Sequence, residues 1–264
     1  DLTKKYARKM ENLATVRDGS EGRLSRGYWT LHIIGTSVGR PEIVPLYQRL
    51  YSQAAGDFKS ENDELLSAIK LVREYVGVKG LWVMDRGGDR INLFQPLLEM
   101  KARFLFRLVG QRHLIYRGRA QAASAIAAAC PCPYAETVAR LCEGQERVFT
   151  ISFGFREVKL PERSEPLFLL VVKGFGEEPL LLLTTEPLRN HRQALWRLVR
   201  AYLQRWRMEE TIRFIKQSYD LENVRVLNYP GLQNLISLLS AVIYFTAVVL
   251  HPREKLKIMA GHVL

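Results

Sequence analysis

Apolar and polar positions along the chain fall into short blocks with different spacings. Residues 28–37 (YWTLHIIGTS) and 43–51 each read as a strand, and Gly39-Arg40-Pro41 between them is a turn signal. Pro45 makes the second strand a candidate for a sheet edge, because proline cannot donate to a ladder. Ser60 offers an N-cap, with Asp63 three residues on, to a helix in which Leu65, Leu66, Ile69, Val72 and Tyr75 recur at helical spacing. Residues 80–84 (GLWVM) form a short apolar run ending at Asp85, which predicts a buried strand. Residues 92–101 predict a helix and 104–109 a further strand. Two strands, helix, strand, helix, strand is the order of an α/β sheet with helices packed on it.

The pattern changes over residues 111–178. An Ala-rich helix (120–129) precedes Cys-Pro-Cys-Pro, and strand-like runs follow at 147–153, 156–160 and 167–173. This block reads as a mostly β insertion between a first part of the core (1–110) and a last part (179–264). Residues 180–185 form another strand. Asn190, with Gln193 three later, is expected to cap one long helix reaching about residue 219. Asn228-Tyr229-Pro230 opens a final apolar helix. The longest apolar run, 235–250, is interrupted by Ser237, Ser240 and Thr246. It is short for a membrane span and reads as a buried helix, with no membrane partner. No signal peptide is evident, and a start at Asp1 with a helix-like pattern at Leu264 suggests an excerpt of a longer protein.

Charge narrows the partners. Lys and Arg number 39 against 27 Asp and Glu, a net charge of +12. Such an excess favours a polyanion through counterion release and long-range steering. Cys130, Cys132 and Cys142 are odd in number, and Cys-Pro-Cys is cramped for a disulfide, so buried or free thiols in a reducing compartment are expected. No second ligand pair stands at zinc spacing. His32, His113, His191, His251 and His262 are scattered.

Two segments carry candidate chemistry. On one continuous helix, Tyr202, Arg205, Glu209 and Lys216 would share a face roughly 60° wide, at about 100° per residue, with Arg213 joining them. Met208, Ile212, Ile215 and Tyr219 would form an adjacent apolar stripe. The other segment is Met84-Asp85-Arg86-Gly87-Gly88-Asp89. It sets a carboxylate at the carboxyl end of a strand, where α/β sheets place their chemistry, with two glycines to turn the backbone and leave room. A solvated charged helix face and a solvated loop are the plain alternatives to these readings.

Tyr202, Arg205, Glu209 and Lys216 resemble the Y-R-E-K signature of bacterial insertion-sequence transposases of the cut-and-paste, DDE type. Asp85 in VMDRGGD resembles their second catalytic Asp, and Glu209 matches their catalytic Glu. Further likeness lies in Gly27-Tyr28-Trp29, in RFLFR at 103–107 and in Leu183-Thr184-Thr185-Glu186-Pro187. The resemblance covers most of the chain and is weakest in the insertion. It implies a ribonuclease H-like mixed sheet with flanking helices, interrupted by the β-rich insertion, with its first strand missing from this chain. Asp1 then stands either for the first catalytic Asp or for its downstream neighbour. Asp18 is a weaker alternative, in a turn-like Arg17-Asp18-Gly19-Ser20.

What the resemblance implies is Mg²⁺-dependent hydrolysis at the ends of a mobile element, with Mn²⁺ as a substitute ion. Strand transfer of the freed 3′-hydroxyl into target DNA would follow. Asp1, Asp85 and Glu209 would be catalytic and hold the metal. Arg205, Lys216, Arg213 and Tyr202 would contact DNA, helped by basic residues in 112–119 and 189–207. The partners implied are double-stranded DNA and a second copy on paired ends, in the bacterial cytoplasm at the nucleoid. A remnant that binds DNA or the intact enzyme without cutting is the alternative.

Overall fold

The computed structural model describes residues 1–4, 9–19, 21–39, 43–142 and 145–245. Expectations resting on Lys5, Tyr6, Ala7, Arg8, Ser20, Arg40, Pro41, His251, His262, the helix-like end at Leu264, or the side chains of Cys142 and Ile215 lie outside the described residues. The chain divides into two compact units, Asp1–Tyr75 with Trp206–Leu264, and Val76–Arg205.

The first unit opens with four strands: β1 (Leu2–Thr3), β2 (Ala14–Arg17), β3 (Leu24–Thr36) and β4 (Ile43–Tyr51). All pairings are antiparallel, with β3 between β1 and β2 and also paired to β4. Sequence reading missed β1 and β2, which are too short for a periodicity to show. Gly27 faces both Thr3 and Ala14, and a Cβ there would run into the Leu2 carbonyl oxygen. The β3–β4 ladder shifts register where Ile34 pairs with Pro45, and β4 has β3 as its ladder neighbour, as Pro45 led one to expect. Helix α1 (Glu61–Val76) follows. Ser60 and Asp63 cap it reciprocally, the Asp63 N–H donating to Ser60 Oγ (3.1 Å) and the Ser60 hydroxyl donating to Asp63 Oδ2 (2.6 Å). Ala68, Ile69 and Val72 are buried, but Tyr75, assigned to the same stripe, is exposed.

The second unit holds β5 (Leu81–Met84), a 3-10 turn (Arg86–Gly88), α2 (Ile91–Glu99), β6 (Arg103–Arg107), β7 (His113–Tyr116) and β8 (Arg119–Ala122). Then come α3 (Ala123–Ala128), β9 (Tyr134–Cys142), β10 (Gln145–Val158), β11 (Leu167–Lys173), β12 (Leu180–Thr184) and α4 (Arg192–Leu203). Six strands form one mixed sheet in the order β5-β6-β12-β11-β10-β9, with β5 and β6 parallel and the rest antiparallel. The strands at 147–153 and 156–160 expected from sequence are one strand, β10. Strands β9 to β11 of the block at 111–178 continue the sheet that carries β5. The central strands β11 and β12 are almost unbroken apolar runs and are buried on both faces. The β5 strand stands at the end of the order and is only half-buried, not the buried strand its apolar run suggested. Phe94 of α2 and Phe104 and Phe106 of the neighbouring β6 pack ring to ring, centroids 5.0–5.7 Å apart. Trp196 of α4 stacks on Phe153 of β10.

The first unit resumes with α5 (Trp206–Ser218) and α6 (Tyr229–Tyr244). The single helix expected over 190–219 is therefore two. Arg205 N–H closes a tight turn onto the Tyr202 carbonyl (3.0 Å), ending α4 without proline or glycine. The chain passes there from one unit to the other, and no local helix breaker marks the place. Asn190 does not cap α4. His191 is the capping residue, without a side-chain bond, and Asn190 instead accepts from the Tyr134 hydroxyl. Asn228 does cap α6, accepting from Gly231 N–H at 2.7 Å. The core of this unit joins Leu2, Tyr28 and Leu50 to Tyr229, Leu232 and Ile236. Glu11 ties them together, its carbonyl accepting from Tyr28 Oη (2.6 Å) and its carboxylate from Tyr229 N–H (2.9 Å). Lys4 is 2% exposed and donates to the carbonyls of Leu221, Glu222 and Val224 beyond α5. Three orphan acceptors after a helix C-terminus are thus met by one ammonium.

Candidate active site

Asp85 follows the last residue of β5, and its backbone is extended. Its Oδ1 accepts the Gly87 N–H at 2.8 Å and so caps the 3-10 turn. The side chain remains 55% exposed. Gly87 and Gly88 matter through space, since neither has a positive φ. A Cβ on Gly88 would come within 2.8 Å of Met84 Cβ and 3.1 Å of Phe106. The buried glycine lets the turn lie flat on β5 and β6 and so sets where Asp85 projects.

The two aspartates of Asp-Arg-Gly-Gly-Asp have different environments. The Asp89 side chain is fully buried. Its Oδ1 accepts from Arg112 Nε at 2.6 Å, its Oδ2 from Val109 N–H at 2.8 Å, and its carbonyl from Arg112 Nη2 at 2.8 Å. The Arg112 guanidinium also lies over the Phe94 ring. Arg112, counted from sequence with the basic surface, is thus engaged in holding the loop. Arg117, Arg119, Arg189, Arg192, Arg197 and Arg200 are exposed.

Arg205 approaches Asp85 within the second unit, Nη1 to Oδ2 at 3.9 Å, with its side chain only 10% exposed. That separation suits a charge contact and is too long for a direct hydrogen bond. The guanidinium sits 5.7 Å over the Tyr202 ring. Tyr202 is fully buried, and its hydroxyl has no hydrogen-bond partner among the described residues. The shared helix face inferred from sequence is not formed: Tyr202 lies on α4, Arg205 in the turn, Glu209 and Lys216 on α5. On α5 alone, Glu209, Arg213 and Lys216 keep the i, i+4, i+7 spacing of one face, with Glu209 and Arg213 exposed. Sequence reasoning missed the approach of Arg205 to Asp85, which has no local signal.

In the first unit, Lys216 Nζ lies 3.6 Å from Asp1 Oδ2. Burial holds the Lys216 ammonium below its ordinary pKa, against the raising pull of Glu222 and Asp18. Burial also pushes the imidazole of His32 on β3 down to about 4, and the Lys216 charge adds to the shift. Asp18 is buried in the turn expected for it, its Oδ1 accepting from Glu21 N–H at 3.2 Å. Asp1 and Glu209 therefore belong to one unit and Asp85 to the other. Among the described residues, no three His, Cys, Asp or Glu side chains gather as a metal-holding group. No helix of the described residues is long and apolar enough to cross a membrane.

No curated protein matches the chain. The family model described as the transposase DDE domain matches residues 44–245, a span that includes Asp85, Tyr202, Arg205, Glu209 and Lys216 and leaves Asp1 outside. That span is well over half of the chain, and its mixed α/β architecture is compatible with such a domain. The chain belongs to the transposase DDE domain family, and its function is that of a transposase, an enzyme acting on DNA.

Proposed function

We propose that this chain is the catalytic core of a bacterial cut-and-paste insertion-sequence transposase of the Y-R-E-K group, ribonuclease H-like in fold, with residues 111–178 as its β-rich insertion. The observation that carries the reading is Asp85: an exposed carboxylate at the carboxyl end of a sheet strand, inside the family match, with an arginine of the signature drawn toward it. The reaction is hydrolysis at the element's ends, followed by joining of the freed 3′-hydroxyl to target DNA. The protein acts in the cytoplasm as a dimer on paired ends.

The residues suit a divalent metal by donor chemistry. Asp85 commits Oδ1 to Gly87 N–H, its Oδ2 accepts no hydrogen bond among the described residues, and carboxylate oxygens are the hard ligands that Mg²⁺ or Mn²⁺ takes. Asp85 and Glu209 would hold the ion with Asp1, or with the acidic residue for which Asp1 stands. A divalent metal held there would supply Lewis acidity, to activate the attacking water or hydroxyl and to neutralise charge on the leaving oxygen. Arg205 holds a phosphate beside Asp85, and the buried Tyr202 ring fixes its guanidinium rather than touching DNA itself. Lys216 lies about 10 Å along α5 from Glu209, so it holds a flanking phosphate. Arg213, exposed on the same face, adds a backbone contact.

The test is Mg²⁺-dependent cleavage and strand transfer by the full-length protein, on DNA carrying the element's ends. Asp85→Ala and Glu209→Gln are assayed beside the parent. Both should lose cleavage and retain DNA binding in gel shifts. Full cleavage by either variant overturns the assignment. A well-folded parent that binds without cutting points to a DNA-binding remnant, and one that cuts without joining points to a nuclease.

A further inference from the structure

The β7–β8 hairpin takes no part in the carboxylate site. Tyr116 pairs with Arg119, which leaves Arg117 and Gly118 as a two-residue turn, and both have positive φ, 49° and 75°. This is the pattern of a type I′ turn, whose central positions favour Asn, Asp or Gly. Gly118 suits its position, whereas Arg117 is a long side chain held in left-handed backbone, a strain that the turn itself does not require. The base of the hairpin is fixed: Leu114 is fully buried, and Ile115 and Lys159 exchange two backbone hydrogen bonds, 2.8 and 3.0 Å, that fasten β7 to the chain just past β10. Arg117, Gly118 and Arg119 at the tip are exposed.

Cations gather around one ring at this tip. The Arg117 guanidinium lies over the Tyr116 ring, 5.2 Å from its centroid, and that of Arg156 on β10 lies 6.0 Å from it. Arg119 faces Tyr116 across the ladder. Arg156 also donates to the Ala129 carbonyl at 3.2 Å. Among the described residues, none of the three arginines has a carboxylate partner. The ring orders two guanidiniums without neutralising either. Three cations gathered without an acid repel one another, and a polyanion relieves that repulsion.

Shape selects how a duplex is met. Neighbouring strands lie about 5 Å apart, so the tip is slim. Gly118 leaves Arg117 as the one side chain between the paired Tyr116 and Arg119. The minor groove of DNA is about 6 Å wide and narrower still in A-tracts, where its deepened negative potential attracts an inserted guanidinium. We propose that the β7–β8 hairpin is a minor-groove probe: Arg117 enters the groove of duplex DNA, while Arg119 and Arg156 hold the phosphates that border it. Tyr116 orders the Arg117 guanidinium beforehand, so less side-chain freedom is lost on binding. The inference rests on duplex DNA as the partner and makes no use of the carboxylates.

The test is fluorescence anisotropy of the full-length protein with three labelled duplexes of equal length, across a salt series, with cleavage followed in parallel. The centres of the duplexes are an A-tract, G·C pairs and inosine·C pairs. Inosine keeps the major-groove face of guanine and lacks its minor-groove amino group. The parent should bind the A-tract and inosine duplexes more tightly than the G·C duplex. Arg117→Asn should lose at least about fivefold in affinity for the A-tract duplex, and the preference with it. Asparagine tolerates positive φ, so its thermal midpoint should equal or exceed the parent's. Arg119→Gln should weaken all three duplexes alike and reduce the salt slope by about 1. Parental affinity and preference in Arg117→Asn would overturn the proposal. So would an equal loss on all three duplexes, which marks a contact outside the groove, or lost binding with a lowered midpoint, which marks a structural residue. A parent that cuts DNA but shows no groove preference refutes the probe and leaves the carboxylate site standing. One that shows the preference without cutting upholds the probe and removes the catalytic reading.

Discussion

Asp85 and Asp89 stand four residues apart in one short motif, and the structure separates their duties by burial. Replacing Asp89 with Ala removes the carboxylate that accepts from Arg112 Nε and Val109 N–H, both in a fully buried position. The variant strands a guanidinium and a backbone donor near the sheet. Breaking a buried pair from one side costs about 3–5 kcal/mol. Arg112 is 24% exposed and regains some hydration, so the lower end, about 3 kcal/mol, is expected. Asp85→Ala loses one bond to Gly87 N–H from a half-exposed side chain, a capping loss of about 1 kcal/mol or less. Urea unfolding followed by circular dichroism measures both, with the slope checked against the parent so that only the midpoint shift is read as stability. Asp89→Ala should unfold at clearly lower urea, while Asp85→Ala should nearly overlay the parent and yet lose cleavage. Equal midpoints for the two variants would refute the division of labour.

Three further outcomes follow from the packing. Gly88→Ala should destabilise by about 1–3 kcal/mol in the same urea assay, because its Cβ would press on Met84 and Phe106; a neutral result would mean the turn shifts freely. Lys4→Met keeps the apolar stem but leaves the carbonyls of Leu221, Glu222 and Val224 unmet, and should cost about 2–3 kcal/mol. Hydrogen exchange should rise first around residues 219–226, and unchanged protection there would sink the idea. His32, with its folded pKa lowered to about 4 from 6.5, binds fewer protons folded than unfolded between those values. Its contribution to stability is therefore complete above about pH 6.5 and is lost as pH falls toward 4. His32→Gln should flatten the stability-against-pH curve in that window, measured by urea midpoints, and an unchanged slope would refute the burial argument.

Much of the architecture was legible in the sequence because it rests on local rules. Ile43–Tyr51 and Leu167–Lys173 were readable as strands from their composition and turn signals. The cap at Ser60 was readable from its partner three residues on, and the edge position of β4 from Pro45. Asp85 could be placed at a strand end because an apolar run stops there. The spacing of Tyr202, Arg205, Glu209 and Lys216, with Asp85 before them, pointed to a DDE transposase, and the match over residues 44–245 established the transposase DDE domain family.

What the sequence by itself determined, then, is the set of elements whose reasons lie within a turn or two of chain, together with the family. Tertiary structure alone decided how those elements are interrupted and what each charge is used for. The break at Arg205 has no proline or glycine to announce it, and it coincides with the passage of the chain from one unit to the other. The burial of Tyr202, the engagement of Arg112 by Asp89 and the capture of three carbonyls by Lys4 were equally hidden. A charged or aromatic residue reads alike in sequence on a solvated face or inside a folded unit. Only the long-range neighbours that remove water from it, and then replace that water with hydrogen bonds, tell the two apart.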